Sequence, residues 1–472
     1  MRFGPGLTIL AVTGVLGACA AVGPEPEAAA PDLPPAYAFA PDADPGVDPG
    51  AGPASDAAWW TGFEDPALNA LIEAGLDGNR DITAALARLE AAQAQIVSAR
   101  SGLFPGVDGE VSLEAQTEPG DSETETDAQG AGLLSYSPDL FGRQRRAIAA
   151  ARADAAAQAD LADDVRRLTA ASIASQYLAL ARAEARFALL ETSLDLQRQT
   201  LDIVTQRFDA GLSAGLDVQR AEADLARTRA QRGTLTIARA QALNTLAVLT
   251  GRTLAGWTPP EPDAIPAFTG EIAAGAPAAL LRRRPDVRAA EADLEAALAR
   301  VGVARAALYP QLSLPGSITA DLDPAGFADS VTARIAAVVD IPLFDAGARR
   351  ADITAAEARA SAALADYEQT VLLAVADVET ALSRIAAIEA RRTELARAVT
   401  ASETAFDQLN ALYREGLATF IDILDAQRTL INSREAAVNA DAELAQAVID
   451  LHAALGAQAY GSEEGAADDA LR

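Results

Sequence analysis

The chain has 472 residues and is strongly acidic, with 67 Asp and Glu against 38 Lys and Arg. This charge balance disfavours nucleic-acid binding, because neutralising phosphates requires a basic surface. Every cation is Arg, which excludes Lys chemistry, and a single His with a single Cys excludes a His/Cys metal site, most nucleophile–His pairs and an intrachain disulfide. We therefore expect a protein without catalytic residues, metal or cofactor.

Residues 1–18 have the pattern of a targeting segment. Arg2 is followed by an apolar run from Leu7 to Leu16 and then by Gly17-Ala18-Cys19. The last four residues resemble a bacterial lipobox, in which the Cys is lipidated and becomes the mature N-terminus. The alternative is an ordinary secretory signal with an incidental Cys. Residues 19–58, rich in Pro, Gly, Ala and Asp, are predicted to be an extended tether behind the lipid anchor.

The rest of the chain consists of two tandem repeats. A shift of 205 positions places Asn79-Arg80-Asp81-Ile82 on Arg284-Pro285-Asp286-Val287, and Leu103-Phe104-Pro105 on Leu308-Tyr309-Pro310. We assign repeat 1 to residues 59–251 and repeat 2 to residues 277–456, with a Pro-rich linker at 252–276 and a flexible acidic tail at 457–472.

Each repeat is predicted to contain helix, two strands and helix again. Helical periodicity runs from Asp65-Pro66 to Leu103, and a period of two follows. Strands are expected at about 107–116 and 129–138 in repeat 1, and at about 311–321 and 331–341 in repeat 2.

Very long helices follow the strands. From Arg143 no helix break occurs until Gly211, more than sixty residues or roughly 100 Å. Apolar residues recur every seven positions, which indicates coiled-coil-like partner helices rather than a helix buried in a globular core. The heptad series are Ile173, Leu180, Phe187, Leu194, Leu201 and Phe208, and in repeat 2 Val378, Ile385, Arg392, Val399, Phe406 and Tyr413, where only Arg392 departs. A partner helix returns from Leu216 to Leu249.

The four strands have the length and alternation of membrane-spanning β-strands. Aromatic residues flank them at the helix side, where one rim of an aromatic girdle is expected: Phe104, Phe141, Tyr309 and Phe344. Four strands cannot close a barrel, and open strand edges are not tolerated in lipid, so closure must come from other copies of the chain. Two copies give eight strands and three give twelve. The alternative is a soluble antiparallel sheet that caps a helical bundle.

Several motifs resemble the outer-membrane efflux proteins, or TolC-like channels, in their lipoprotein branch. These motifs are Trp60, Phe63 and Asp65-Pro66, the run Arg283-Arg284-Pro285-Asp286-Val287, Val22-Gly23-Pro24, and the junctions Leu140-Phe141-Gly142 and Leu343-Phe344-Asp345-Ala346-Gly347. The resemblance implies a mainly α protein that forms a homotrimer, with a twelve-stranded β-barrel in the outer membrane and an α-helical barrel in the periplasm. It also implies two partners, a periplasmic membrane-fusion adaptor and an inner-membrane resistance-nodulation-division transporter.

The segment after Tyr413 contains the strongest candidates for functional residues. Asp422 and Asp425 are spaced i, i+3 and therefore face one way on a helix. The resemblance implies that they form a periplasmic gate, with Tyr413 in hydrogen bonds that keep it shut. Ala418 occupies the position at which better-known members of the family have Arg. The hydrogen-bond network that keeps the gate shut must therefore differ in this chain. The two helix–turn–helix tips resemble the adaptor-contact motif: Gly211, Leu212 and Ser213, and Gly416, Leu417 and Thr419.

Three functions are compatible with these features. The favoured one is the passive exit duct of a tripartite efflux pump. A channel for type I protein secretion is disfavoured by the lipobox and by the Arg-Arg-Pro-Asp motif. A lipid-anchored coiled-coil scaffold without a pore belongs to a different class. The sequence does not identify the exported substrate.

Overall fold

The computed structural model describes residues 33–39, 58–116, 125–270, 277–322 and 328–457. The predicted signal segment, Cys19, most of the tether and nearly all of the acidic tail lie outside these residues. The chain divides into two compact units. The first contains Leu86–Leu161 and Arg288–Thr370. The second contains the described parts of Asp32–Ala85, Ala162–Val287 and Val371–Arg472.

Seven helices of at least thirteen residues are present in the described chain, and six of them form repeat-related pairs. After α1 (Pro66–Gly78), repeat 1 holds α2 (Arg80–Ser101), α3 (Arg143–Asp209) and α4 (Gly215–Leu249). Their counterparts in repeat 2 are α5 (Pro285–Ala306), α6 (Ala348–Arg414) and α7 (Phe420–Ala454). Each counterpart has the same length and starts 205 positions later, as the repeat predicts.

The first predicted helix is in fact two helices, because Asn79 interrupts it with extended backbone (ψ 134°). Its side-chain oxygen accepts hydrogen bonds from the amides of Asp81 (2.7 Å) and Ile82 (3.2 Å). Such side-chain capping satisfies amides that have no partner inside the helix. The strong periodicity on both sides of Asn79 concealed this break.

The heptad positions are largely buried, as expected. Ile173, Leu180 and Leu194 in α3, and Val378 and Phe406 in α6, are all buried. Both long helices have 67 residues, or about 100 Å at 1.5 Å per residue.

The strands form one four-stranded antiparallel sheet and one short two-stranded sheet. The strands are β1 (Gly106–Gln116), β2 (Glu125–Ser135), β3 (Gln311–Ser313), β4 (Gly316–Leu322), β5 (Ala328–Ile335) and β6 (Val338–Asp340). The order in the larger sheet is β1-β2-β4-β5, so the hairpins of the two repeats pair through β2 and β4.

Three strand predictions were wrong in detail. The strand expected at 129–138 runs from Glu125 to Ser135, so it starts and ends earlier. The two strands of repeat 2 are each split, because Pro315 has no amide hydrogen and breaks the ladder. The register nevertheless continues through the break, since the Leu314 amide donates to the Tyr136 carbonyl (2.7 Å) and the Ala336 amide to that of Pro315 (2.9 Å).

Candidate functional site

One face of the four-stranded sheet is apolar. Directly paired residues of antiparallel strands point to the same side, so the register defines each face. Most of the large side chains on this apolar face are strongly exposed in the single chain, with Val111 at 81% and Ile335 at 79%, while Leu134 and Leu322 are half-buried. In successive rows the face contains Val107, Leu134, Gly316 and Ile335; Gly109, Gly132, Ile318 and Ala333; Val111, Gly130, Ala320 and Val331; and Leu113, Ala128 and Leu322.

The opposite face is polar. Its rows are Asp108, Leu133, Ser317 and Arg334; Glu110, Ala131, Thr319 and Thr332; and Ser112, Gln129, Asp321 and Ser330. The side chains bond across strands, since Gln129 and Ser330 both donate to the carboxylate of Asp321, at 2.8 and 2.5 Å. A sheet with one exposed apolar face and one polar face suits a wall between lipid and water.

The sheet has two open edges in the described chain. β1 and β5 are its outermost strands, and each has a hydrogen-bonded neighbour on one side only. Open edges expose unpaired backbone groups, which hydrocarbon does not tolerate. This sheet alone is therefore incomplete as a membrane structure.

The predicted girdle residues differ in their surroundings. Phe141 stacks on Tyr309, with ring centroids 5.0 Å apart and planes inclined by 21°. Phe104 and Phe344 have no stacking partner in the part of the chain that the structure describes, and both are largely exposed.

The two tips are tight turns of the same construction. Gly211 (φ 75°) and Gly416 (φ 79°) adopt the left-handed conformation that favours glycine. The amide after each glycine donates to a carbonyl five residues earlier, Leu212 to Arg207 and Leu417 to Leu412, both at 2.8 Å. This is the Schellman pattern of helix termination. It leaves Leu212 and Leu417 exposed.

Asp422 and Asp425 are both exposed and line one open groove, together with Ile421 and Arg428. Asp422 also has a structural task. Its carboxylate accepts hydrogen bonds from the hydroxyl (2.5 Å) and the amide (2.9 Å) of Thr419, in a capping box at the start of α7. The hydroxyl bond and then the amide bond lower the pKa of Asp422.

Tyr413 lies in a buried cluster at the tip. Its ring packs among Val204, Phe420, Ile423 and Leu424. Arg207 lies over that ring at 4.8 Å and donates to the Tyr413 carbonyl oxygen at 2.8 Å. Burial raises the pKa of the Tyr413 hydroxyl.

Comparison with known proteins identifies the family. The sequence model of the outer membrane efflux protein family matches residues 71–252 and 276–457, two segments that are 205 positions apart. The chain belongs to the outer membrane efflux protein family. The outer membrane protein OprJ of Pseudomonas aeruginosa is 32% identical over 417 residues, which cover 86% of this chain and 87% of OprJ.

Other efflux proteins agree with this assignment. The toluene efflux pump outer membrane protein TtgI of Pseudomonas putida is 30% identical over 403 residues, covering 84% of this chain and 86% of TtgI. The solved outer-membrane channel OprN matches 94% of this chain and 100% of its own, with a TM-score of 0.83 and 32% identity. An efflux protein of the outer membrane is thus the right description of this chain.

A polar cluster that could not be predicted from the sequence lies next to the gate candidates of this efflux protein. Asp224 of α4 is buried, and its carboxylate accepts two hydrogen bonds from Arg428 of α7, at 2.7 and 3.0 Å. Gln197 of α3 donates to the same carboxylate at 3.0 Å. No periodicity distinguishes Asp224 from the exposed acids around it, so no sequence signal pointed to the cluster.

The Arg-Arg-Pro-Asp motif has a structural explanation. Arg284 donates to the Ala454 carbonyl oxygen at the end of α7 (3.2 Å) and to Asp286 (2.6 Å). Its repeat counterpart Asn79 donates to Leu249 at the end of α4 (2.9 Å). Burial opposes the charge of Arg284, but the bonds to Asp286 and Asp377 prevail and raise its pKa. In each repeat, the side chain at this position therefore links the start of one helix to the end of another by a hydrogen bond.

None of the described helices is long and apolar enough to cross a membrane. The described parts of the chain also contain no group of three or more His, Cys, Asp or Glu arranged to bind a metal ion.

Proposed function

We propose that three copies of this chain form the outer-membrane exit duct of a tripartite efflux pump, which conducts drugs or other small molecules passively. The observation that carries the proposal is the two-faced sheet with open edges. Three copies supply twelve strands, enough to close a barrel with lipid outside and water inside. The long helices then form the periplasmic part of the duct, and the energy comes from the inner-membrane transporter.

The duct is anchored through a lipidated Cys19. The lipobox-like residues before it support this proposal, and acyl chains contribute about 0.8 kcal/mol per buried CH₂. Metabolic labelling with a fatty-acid analogue tests it. The wild-type protein is expected to take up label and Cys19→Ser to take up none; label on Cys19→Ser would contradict lipidation at this residue.

Asp422 and Asp425 form an acidic constriction of the pore. Their exposure on one groove supports this, because six carboxylates around a trimer axis would attract cations. Replacing both by Ala is expected to lower cation selectivity and raise single-channel conductance in planar bilayers. Unchanged selectivity and conductance would refute the assignment.

The capping box makes the two carboxylates unequal, and this sharpens the test. Asp425→Ala removes charge alone, whereas Asp422→Ala also removes the carboxylate that completes the capping box at the start of α7. A selectivity change in Asp425→Ala therefore reports on the pore without a folding effect. Glu394→Ala, which removes an exposed carboxylate of α6, is the matched control and is expected to leave selectivity unchanged.

The two tips bind the periplasmic membrane-fusion adaptor of a resistance-nodulation-division pump. The exposed Leu212 and Leu417, each held out by a glycine turn, support this. Leu417→Arg is expected to abolish efflux in cells while bilayer conductance persists. Efflux at the wild-type level would contradict a role in docking.

Efflux in cells tests the whole proposal. A host that lacks its own exit duct is given this chain with a candidate adaptor and transporter, and accumulation of a fluorescent substrate is followed. Lower accumulation that requires all three proteins is the expected result. Export of a protein substrate instead would favour a type I secretion channel, and channel activity in no assay would favour a scaffold.

A further inference from the structure

A pocket lies beside the Pro-rich linker, within the second compact unit. Its volume is about 700 Å³, which is in the range of small-molecule binding sites. Linker residues 262–268 form one wall, and α3, α6 and α7 supply the others. The pocket shares no described lining residue with the groove of Asp422 and Asp425. It is therefore a separate feature of the chain.

The linker wall is held at both of its ends. Just before it, Glu261 accepts a hydrogen bond from Arg239 of α4 at 2.9 Å. At its other end the ring of Phe268 packs edge-to-face on that of Phe63, with centroids 5.2 Å apart. Two prolines within 262–268 also fix the backbone angle φ. The pocket is thus preformed, and a preformed site lowers the entropic cost of binding a ligand.

The helix side of the pocket is largely apolar. The described part of α3 contributes Ala181, Ala185 and Ala188, and α7 contributes Leu444 and Val448. The short alanine side chains leave room that larger residues would fill. Burial of apolar groups against such a surface is favourable, so the pocket suits an organic molecule better than a hydrated ion.

Five charged side chains line the pocket, and two of them have no ion-pair partner among the described residues. Glu184 is paired with an arginine of α4, and Asp441 is paired with Arg392 at 2.7 Å. The carboxylates that remain are those of Asp263 in the linker and Glu389 in α6. The pocket therefore carries two negative charges without a neighbouring cation.

The sequence repeat shows why Glu389 lacks a partner. Its counterpart in repeat 1 is Glu184, which is paired with Arg239. The counterpart of Arg239 is Leu444, which lies 205 positions later and lines the pocket. Repeat 2 thus keeps the carboxylate and has an apolar side chain in place of its cation. The heptad exception Arg392 lines the same pocket.

We propose that this pocket binds a hydrophobic organic cation, with its charge beside Asp263 and Glu389 and its apolar groups against Leu444 and the alanines of α3. The segments 40–57 and 271–276, which lie outside the described residues, contain only acidic charged residues, so neither complements the pocket. This inference goes beyond the proposed function, because the pocket binds its ligand whether or not the duct conducts.

Equilibrium dialysis of the detergent-solubilised full-length protein tests this site. The probes are tetraphenylphosphonium and tetraphenylborate, which have nearly the same size and shape but opposite charge. Dialysis against protein-free micelles corrects for uptake by the detergent. A carboxylate in contact with a cation near a protein surface strengthens binding roughly fivefold. With two carboxylates, we expect the phosphonium to bind on the order of tenfold more tightly than the borate.

Substitutions in the pocket identify the groups responsible. Asp263→Asn with Glu389→Gln is expected to reduce phosphonium affinity on the order of tenfold. Leu444→Arg gives Glu389 the counterpart of Arg239 and should reduce the affinity at least as much. Asp407→Asn is the matched control, because it removes an exposed carboxylate of α6 that lies 18 residues, or about 27 Å, along the helix. Its phosphonium affinity should equal that of the wild type.

A steric variant completes the test. Ala188→Phe keeps every charge but narrows the pocket, and weaker phosphonium binding is expected. Equal affinity of the wild type for the two probes would overturn the proposal, as would equal phosphonium affinity in Asp407→Asn and in the double variant. Binding that persists in the pocket variants but is lost in Asp425→Ala would place the cation in the gate groove, and this result would also overturn the proposal.

Discussion

The ion pair between Asp224 and Arg428 should control how firmly α7 is held against α4. Arg428→Met removes the guanidinium but keeps a side chain of similar length. The carboxylate of Asp224 then loses two hydrogen bonds, at 2.7 and 3.0 Å, and keeps the bond from Gln197 at 3.0 Å and the longer one from Arg227 of the same helix at 3.4 Å. Since Asp224 remains buried, this loss is not replaced by water.

The magnitude follows from the contacts. A hydrogen bond to a charged group contributes about 1.5–3 kcal/mol. The Arg428 side chain is 44% exposed, and solvent screening reduces the contribution to about 1–2 kcal/mol. Because 1.4 kcal/mol corresponds to a factor of ten, local opening of the start of α7 should become on the order of tenfold more frequent.

Hydrogen exchange of backbone amides, read by mass spectrometry, measures that opening. Peptides that cover Phe420–Leu430 are expected to exchange on the order of tenfold faster in Arg428→Met than in the wild type. The matched control is Arg397→Met, whose partner Glu394 is 70% exposed, and exposed pairs contribute little. Equal exchange rates in Arg428→Met and the control would show that the ion pair does not hold the start of α7 in place.

Two further predictions concern the second compact unit. Gly251→Ala should destabilise the protein by more than about 1 kcal/mol in chemical denaturation, because φ is 70° there and a Cβ would overlap the Gly78 carbonyl oxygen. Gly233→Ala, in the open interior of α4, should instead stabilise it by about 0.5–1 kcal/mol. His452 stacks on Trp59 at 5.2 Å, and burial lowers its pKa to about 4. Thermal unfolding should show stability falling between about pH 6.5 and pH 4, by about 3 kcal/mol more in the wild type than in His452→Phe.

The sign of the pH effect follows from the direction of the pKa shift. The folded protein holds His452 neutral down to about pH 4, whereas the unfolded chain binds a proton from about pH 6.5. Proton binding therefore favours the unfolded chain, and the folded protein loses stability as the pH falls from about 6.5 to about 4. Parallel pH profiles of the wild type and His452→Phe would contradict the prediction. Equal stability of the two glycine variants would contradict the steric argument.

The repeat and the long helices could be predicted from the sequence because their signals are periodic and occur twice. The start of α3 at Arg143 and the end of α4 at Leu249 agree with the expected bounds. The split of the repeat 2 strands was missed although Pro315 is visible in the sequence, because the alternation continues on both sides of it. The break at Asn79 was missed for a similar reason.

The site could be predicted only in part. The exposed position of Asp422 and Asp425 on one side of α7 follows from helical spacing, and the turns follow from Gly211 and Gly416. The capping bond of Asp422 and the partner of Asp224 depend on which helices meet. Those contacts are set by tertiary packing, which a single sequence does not specify.

In the proposed function, several copies complete a membrane channel that one chain leaves open. The most direct measurement combines the native mass of the detergent-solubilised full-length protein with single-channel recording of the same sample in planar bilayers. We expect three chains per particle and discrete conductance steps. A water-soluble single chain without conductance would mean that no such channel forms.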